Sequence, residues 1–525
     1  MSELKTQFKI PRINFGRVEA SENENDNASF ISVCDVTSEN FIQYTKLLEA
    51  DDFSLFEKRT MGDNCFYAFK LGDKAVYTCY YPSISEMRIV TERNSTYTNY
   101  SDNAGVKVCP TTVTQINLED FGISYVIQIS DGRFIIIDGG WHWEVEADKL
   151  MNCLKERTGG KKPVIAAWFL SHPHCDHYWC FVTFYEKYKN DVVIEKILFN
   201  FPSVTDEYIE KMRNSAFQIT SGGDNVDFMT RLYKYSEKSG ADIYCPHSGQ
   251  SYQIGNVFCE ILSSPDDTLR YPTHDGNPLS LIFKMTVEGQ TILWMTDGYF
   301  EPAKLVERFG SYLKSDIMQL PHHGFVGGTI EGYDAVNPTV CLASTFECDM
   351  FAKMNMHKAD NIHLLKNLNV EEFLCGRKYS NDHITITLPY EPSKNGRAKL
   401  DEAIKDGMGS IGARVWYFDG LEVNDNADCI LNIINPAAGN RTVYIDLIFE
   451  NGADYIEEIK VDVSSYQRKI FNFSGLDLDE NNPEYYNRIN KRHREIKKGE
   501  KFCAKVSCLT PIVVSADNGK EVYHY

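Results

Sequence analysis

Between residues 113 and 390 short apolar runs alternate with stretches of helical spacing. VIAAWFL (164–170) is apolar throughout, the pattern of a strand covered on both faces. HYWCFVTFYEKY after it predicts a helix, VVIEKILFNF a strand, and FMTRLYKYSEKSG a helix stopped at Gly240. GISYVIQISDGRFIIIDGG reads as a hairpin turning at Ser130-Asp131-Gly132. The strand FCEILSS, the hairpin LSLIFKMTVEGQTILWMTDG and the helix PAKLVERFGSYLK follow. DIMQLPHHG, TVCLAST, the helix KADNIHLLKNL and ITITLPY complete the set. Strands mixed with helices over this length predict a layered α/β domain.

The flanks have a different texture. Residues 17–30 are acidic, Asn-rich and poor in apolar side chains, which predicts a flexible lead-in over 1–30. Helical spacing over 39–50 and β-rich runs broken at LGDK and PSIS predict a small α+β domain and linker over 31–105. The layered α/β domain then occupies 106–395. From 396 to 525, RVWYFDGLEV, DCILNIINPAAGN and TVYIDLIFENGADYIEEIKVDV alternate apolar and polar residues between Asn/Gly turns. That pattern predicts an antiparallel, sandwich-like β domain.

At 525 residues the chain is too long for a single core, in keeping with this division. The formal net charge of −20 argues against a nucleic-acid partner, which calls for a basic face. One basic insert, RINKRHREIKK (488–498), reads as a solvated helical face. The N-terminus shows no apolar export segment, and no apolar run approaches the ~20 residues of a membrane span. The 15 cysteines, odd in number and scattered, read as reduced thiols, so a cytoplasmic protein is expected.

The candidate chemistry lies in FLSHPHCDHYWCF, which packs His172, His174, Asp176 and His177 into six residues. In an extended segment His172 and His174 point the same way, and Asp176 and His177, one turn later, reach a second position beside them. Four ligand-type residues so close favour a metal centre over solvated loop histidines. Cys175 and Cys180 flank the cluster and read as packing.

H-x-H-x-D-H after a buried strand resembles the signature of the metallo-β-lactamase superfamily. Asp138 in FIIIDGG, 34 residues before His172, and Asp297 in ILWMTDG supply that family's other two acidic motifs in order. NPLSLIFKM, with Asn277 and Ser280, and LPHHG, with His322 and His323, are similar to one branch of it. That branch holds the hydrolase domain of competence DNA-uptake channel proteins and phosphorylcholine esterases. The resemblance implies an α/β fold, an αββα sandwich with metals at the sheet edges. It implies that His172 and His174 hold one metal, Asp176 and His177 the second, and Asp297 bridges them. SSPDDT stands where the third His of the first site would follow FCEILSS, so His323 or His322 is expected to fill that gap. His357 falls where the branch carries a ligand to the second metal, and Asp138 is expected to orient ligands by hydrogen bonds. One of His322 and His323 is expected to stabilise the developing charge or protonate the leaving group, and His322 with Asp176 is taken as the catalytic set. Trp141, His142, Trp143, Tyr178 and Phe325 are expected to line the pocket. His274 and His247 are weaker candidates for the third-His gap and read first as structural, while His363 and His383 read as structural or rim residues.

The implied cofactor is a pair of divalent ions, zinc by its His and Asp donors, with manganese or iron as alternatives. The implied activity is hydrolysis of a phosphodiester or related phosphoester, small or peripheral, by metal-activated hydroxide. Lactone or other ester hydrolysis, nuclease activity, and a non-catalytic binding or assembly role on a retained metal fold are the alternatives.

Overall fold

The computed structural model describes residues 4–23, 27–98, 101–103, 105–201, 225–268, 276–346, 359–376, 382–401, 413–423, 429–435, 440–449, 455–473, 496, 498–517 and 522–524. They fall into two compact units, residues 1–347 with 359–397, and the remainder of the chain.

The first unit opens with a helix on a six-stranded antiparallel sheet. Helix Ser38–Ala50 starts where Thr37 and Asn40 cap each other's backbone N–H reciprocally. It buries Phe41, Tyr44, Thr45 and Leu48, one stripe at helical spacing. Arg17–Asn23 pairs with Ala28–Cys34 at one edge of the sheet, so a segment expected to be a flexible lead-in is a strand instead. An edge strand draws its bonds from the backbone, and its polar side chains cost nothing on a solvated face.

Two eight-stranded sheets make up the rest of this unit. One runs from Asp242–Tyr244 through Lys196–Leu198, Val164–Phe169, Phe134–Asp138, Ser124–Gln128 and Thr112–Gln115 to Ile384–Thr387. The other includes Val340–Phe346, Ile317–Gln319, Gln290–Trp294, Ile282–Val287 and Val257–Ser263 as neighbours. The sheets pack face to face through Tyr125 against Trp294 and Phe169 against Phe283, with ring centroids 4.8 and 5.0 Å apart. Helices Glu144–Arg157, Trp179–Tyr188 and Asn225–Ser239 cover the outer face of the first sheet in one apolar core with its strands. The fold is the mixed α/β sandwich expected. PAKLVERFGSYLK, expected as one helix, is split into Leu305–Phe309 and a 3-10 turn, because Gly310 takes a left-handed backbone.

A buried ion network ties the six-stranded sheet to the sandwich. Asp267 accepts from Arg308 at 2.7 Å and lies 3.6 Å from Arg88, while Arg308 also lies 3.5 Å from Glu86. SSPDDT, the segment standing in the third-His slot, therefore turns its Asp267 carboxylate into this network.

The second unit is β-rich, as its alternating pattern predicts. Lys501–Asp517 is shared between two antiparallel ladders, with Arg441–Phe449 on its first half and Ile430–Ile434 on its second. Its core includes Leu431, Ile433, Val443, Ile445, Leu447 and Val506. Residues 488–495 of the basic insert lie outside the described residues.

Candidate metal centre

Four loops meet at one end of the paired sheets. Phe134–Asp138 and Val164–Phe169 are parallel neighbours in one sheet, and Gln290–Trp294 and Ile317–Gln319 are parallel neighbours in the other. Parallel neighbours end at the same edge, where open α/β sheets carry their sites. Asp138, the 171–177 loop, Asp297 and the His322–His323 pair are delivered there together. The loops are held in costly backbone: Asp138, Thr296, His322 and His323 all have φ between +44° and +58°. Each such residue costs on the order of 1 kcal/mol or more, and strain of this kind gathers at functional sites.

Two groups of metal-ligand atoms result. Asp176, His177, Asp297 and His323 form one, and His172, His174 and Asp297 the other, with the atoms of each group within 4.8 Å of one another. Asp297 belongs to both. His323 Nε2 lies 3.1 Å from Asp176 Oδ2 and 3.3 Å from Asp297 Oδ2, and His177 Nε2 lies 3.2 Å from Asp297 Oδ2. His172, Asp176, His177, Asp297 and His323 are all buried, and His174 is half-buried.

The imidazoles are aimed from behind. Asp138 Oδ2 accepts from His177 Nδ1 at 2.8 Å and from Ser171 Oγ at 2.7 Å. Having given its proton to Asp138, the Ser171 hydroxyl accepts from His172 Nδ1 at 3.0 Å. A main-chain carbonyl can only accept, so His323 Nδ1 donates to Ser344 O at 3.1 Å. All three rings thus use Nδ1 as donor and turn Nε2 inward, the arrangement that fixes a ligating tautomer.

Whether the residues suit a metal can be judged from the atoms left over. His177 Nε2, Asp297 Oδ1 and His323 Nε2 are buried and make no hydrogen bond. Buried polar atoms are rarely left so, and three at one point mark a place for a cation. His172 Nε2 and Asn277 Oδ1 also face each other at 3.1 Å. Both are acceptors in the tautomer set by Ser171, as two donors to a common cation would be. The residues present fit a metal.

The charges agree. Burial, then the His177 and His174 rings, hold His172 well below the usual histidine pKa. Burial opposes a charge on His177, yet Asp297, Asp176 and Asp138 hold its pKa well above the usual value. Against burial, Asp297 and Asp176 bring His323 up to about 9. Burial also opposes ionisation of Asp297, and His177, His323 and His322 nonetheless hold its carboxyl well below the usual range. Without metal, therefore, protons on the histidines balance the carboxylates.

His323 joins the Asp176 group, so it does not fill the gap beside His172. The left-handed turn at 322–323 sends the two rings apart, their centroids 5.5 Å from each other. His322 is a quarter exposed at the mouth, where Asn277 Nδ2 lies 3.1 Å from its Nε2 and Tyr299 OH 3.3 Å from its Nδ1. Phe325 packs on both histidines, and Phe121 packs on Phe325 and on His323. Trp141 stacks on Trp143 and donates from Nε1 to Phe121 O, while His142 is exposed and packs on Trp179 and Phe228. Tyr178, expected in the pocket, is fully buried in the core against Phe201, because it sits at the start of helix Trp179–Tyr188 and faces the sheet. Cys175 and Cys180 are buried apolar packing, and burial pushes the Cys180 thiol well above its usual pKa. His363 pairs with Asp334 at 2.7 Å, and His383 Nδ1 accepts from Asn117 N at 3.3 Å. His247 lies in a separate cluster. His274 and His357 lie outside the described residues.

Ser171, Phe121 and the bridging position of Asn277 were not legible as site features. Ser171 directly precedes His172, but its role depends on a carboxylate 33 residues earlier.

Residues 119–253 match the family model described as "Metallo-beta-lactamase superfamily". This chain carries a metallo-β-lactamase superfamily domain. The superfamily consists mostly of metal-dependent hydrolases, and the matched segment contains Asp138 and the whole 172–177 cluster. No curated protein sequence matches the chain. Among solved structures, the chain is similar to CmlA, a diiron β-hydroxylase from Streptomyces venezuelae. The identity is 10%, over 54% of this chain and 55% of that one, with a TM-score of 0.31. A putative metal-dependent hydrolase from Parabacteroides distasonis is 13% identical over 62% of this chain and all of its own, with a TM-score of 0.28. The short form of human tRNase Z is 12% identical over 53% of this chain and 99% of its own, with a TM-score of 0.27. Among the described residues no helix is long and apolar enough to cross a membrane.

Proposed function

We infer that the metallo-β-lactamase domain is a dinuclear, metal-dependent phosphoesterase acting on a small or peripheral phosphodiester. The observation that carries this reading is the double membership of Asp297, whose carboxylate stands in both buried donor groups. His172, His174 and Asp297 would hold one ion, with the Asn277 amide oxygen in place of the missing third histidine. Asp176, His177, His323 and Asp297 would hold the other. Zinc suits these imidazole and carboxylate donors, and a bound pair supplies Lewis-acid polarisation and an activated water.

The chain's own residues do the rest. Asp138 and Ser171 keep Nε2 of His177 and His172 aimed inward, so the donors are in place before loading. Phe121, Phe325 and Trp141 form an apolar wall beside His323, which restricts water around the reacting bond. His322 is partly exposed and is held by Asn277 and Tyr299 at the mouth, where a leaving oxygen would emerge. It is the group placed to give that oxygen a proton. The charge of −20 favours a small substrate over a polynucleotide, because phosphate contacts along a backbone call for lysine and arginine.

A panel of chromogenic bis-aryl phosphate, aryl ester and lactone tests the bond type on metal-loaded protein. Turnover of the diester above that of the other two supports the reading. Turnover confined to ester or lactone would replace it with carboxyl-ester hydrolysis on the same centre.

A further inference from the structure

Beyond the centre just described, a cluster of donors among the described residues borders a cavity. Glu92 is the next-to-last residue of the strand Glu86–Arg93 of the six-stranded sheet, and Cys245 and His247 follow the strand Asp242–Tyr244 of the sandwich. A carboxylate oxygen, the thiol sulfur and a ring nitrogen of these three lie within 4.8 Å of one another. None of them belongs to the first centre. His247 is fully buried and Glu92 is 6% exposed.

The spacing is the informative part. Glu92 Oε1 stands 3.9 Å from His247 Nε2, too long for a hydrogen bond. Two donors on one tetrahedral zinc ion lie about 3.4 Å apart, given metal–ligand bonds of about 2.1 Å. The other oxygen of Glu92 accepts from Tyr77 OH at 3.1 Å, and the Tyr77 ring stacks on that of His247, centroids 5.5 Å apart. Tyr77 thus orients both the carboxylate and the imidazole from the protein side, as outer-shell partners of metal ligands do. On the other side Glu92 and Cys245 help to wall a cavity of about 500 Å³, together with Phe199, Phe201, Tyr233 and Tyr244.

We propose that Glu92, Cys245 and His247 form a second, independent metal site for one zinc-class ion, with a fourth coordination position opening onto this cavity. Thiolate, imidazole and carboxylate are a zinc donor set, and three protein ligands with one open position is the form that admits water or a small ligand. Loading removes the thiol proton, which passes to solvent. The site differs in kind from the first centre, whose donors include no sulfur, and this gives it a signature of its own.

Cobalt(II) reports that signature directly. Cobalt-substituted protein should show the near-ultraviolet thiolate-to-cobalt band, and His172→Ala should retain it. Cys245→Ser should abolish the band, lower the metal content by one ion per chain and leave ester hydrolysis at the wild-type rate. Glu92→Gln, which keeps a partner for Tyr77, should weaken cobalt binding at this site at least tenfold. A band that survives Cys245→Ser, or equal metal content in both proteins, overturns the proposal. A second measurement needs no variant: zinc should protect the Cys245 peptide of wild-type protein from maleimide, compared with metal-free protein. Equal labelling of that peptide in the two states also overturns it.

Discussion

Asp138 Oδ2 accepts the Nδ1 proton of His177 at 2.8 Å, behind the metal-facing side of the ring. The same carboxylate accepts from Ser171 N and Oγ, each at 2.7 Å, and through Ser171 it also sets His172. One side chain thus aims a histidine in each donor group. Asp138→Asn has only one acceptor for these three donors, so it should weaken metal binding by about 10–100-fold while the fold survives. Competition with a chromogenic chelator measures this, and unchanged affinity would remove Asp138 from the positioning role.

Loading should release protons. In the metal-free chain His177 is held well above the usual histidine pKa and His323 at about 9, so both carry a proton at pH 7. A histidine whose folded pKa is raised stabilises the fold most below its unfolded value of about 6.5. That contribution is lost as pH rises through about 9. Metal must displace the same protons, so affinity should climb between pH 6 and 9. Calorimetry in two buffers of different ionisation enthalpy should show net proton release at pH 7, and a buffer-independent heat would contradict it.

The two adjacent histidines should separate by function. His323→Ala removes a buried donor and should lower metal content. His322→Ala should leave metal content unchanged and lower kcat by about 10²–10⁴, the range of a lost general acid. A leaving group of low pKa needs no proton and should shrink the His322 effect. Equal losses on good and poor leaving groups would deny His322 this role.

Much of this was legible in the chain. The H-x-H-x-D-H cluster, Asp138 and Asp297 announce themselves because ligands near strand ends keep short, recognisable spacings. The continuous apolar runs FIIID and VIAAWF likewise read as covered strands. What stayed hidden depends on distance along the chain. Asn277 meets His172 across 105 residues, and Glu92 meets His247 across a sheet from another part of the fold. The division of labour between His322 and His323 was hidden for a different reason. It is set by two left-handed backbone positions at residues that have a Cβ, which no propensity anticipates. Tyr178 directly follows His177 in sequence, yet its ring turns into the core against Phe201, so adjacency to the cluster does not bring a side chain to the site.

Arg308 should matter to stability rather than to chemistry. It is buried between Asp267 and Glu86, and Arg308→Met leaves the two carboxylates to share Arg88 where two guanidinium groups stood. Breaking such a pair costs roughly 3–5 kcal/mol. Burial opposes ionisation of Asp267, yet Arg308 and Arg88 hold its carboxyl below the usual range. A depressed carboxyl stabilises the fold above its unfolded pKa of about 4, and that contribution fades as pH falls below it. Urea denaturation at pH 7 and at about pH 3 should show a larger deficit for Arg308→Met at pH 7. The same deficit at both would place the effect in packing.

Asp297 stands in both buried donor groups, so a two-metal hydrolytic site rests on this one carboxylate. The most direct measurement is metal content together with bis-aryl phosphate turnover for wild type and Asp297→Asn, both carrying Cys245→Ser so that only this centre is counted. The parent should carry about two ions per chain and turn over the diester, and Asp297→Asn should lose metal from both positions together with turnover. Full occupancy with undiminished turnover in Asp297→Asn would contradict it.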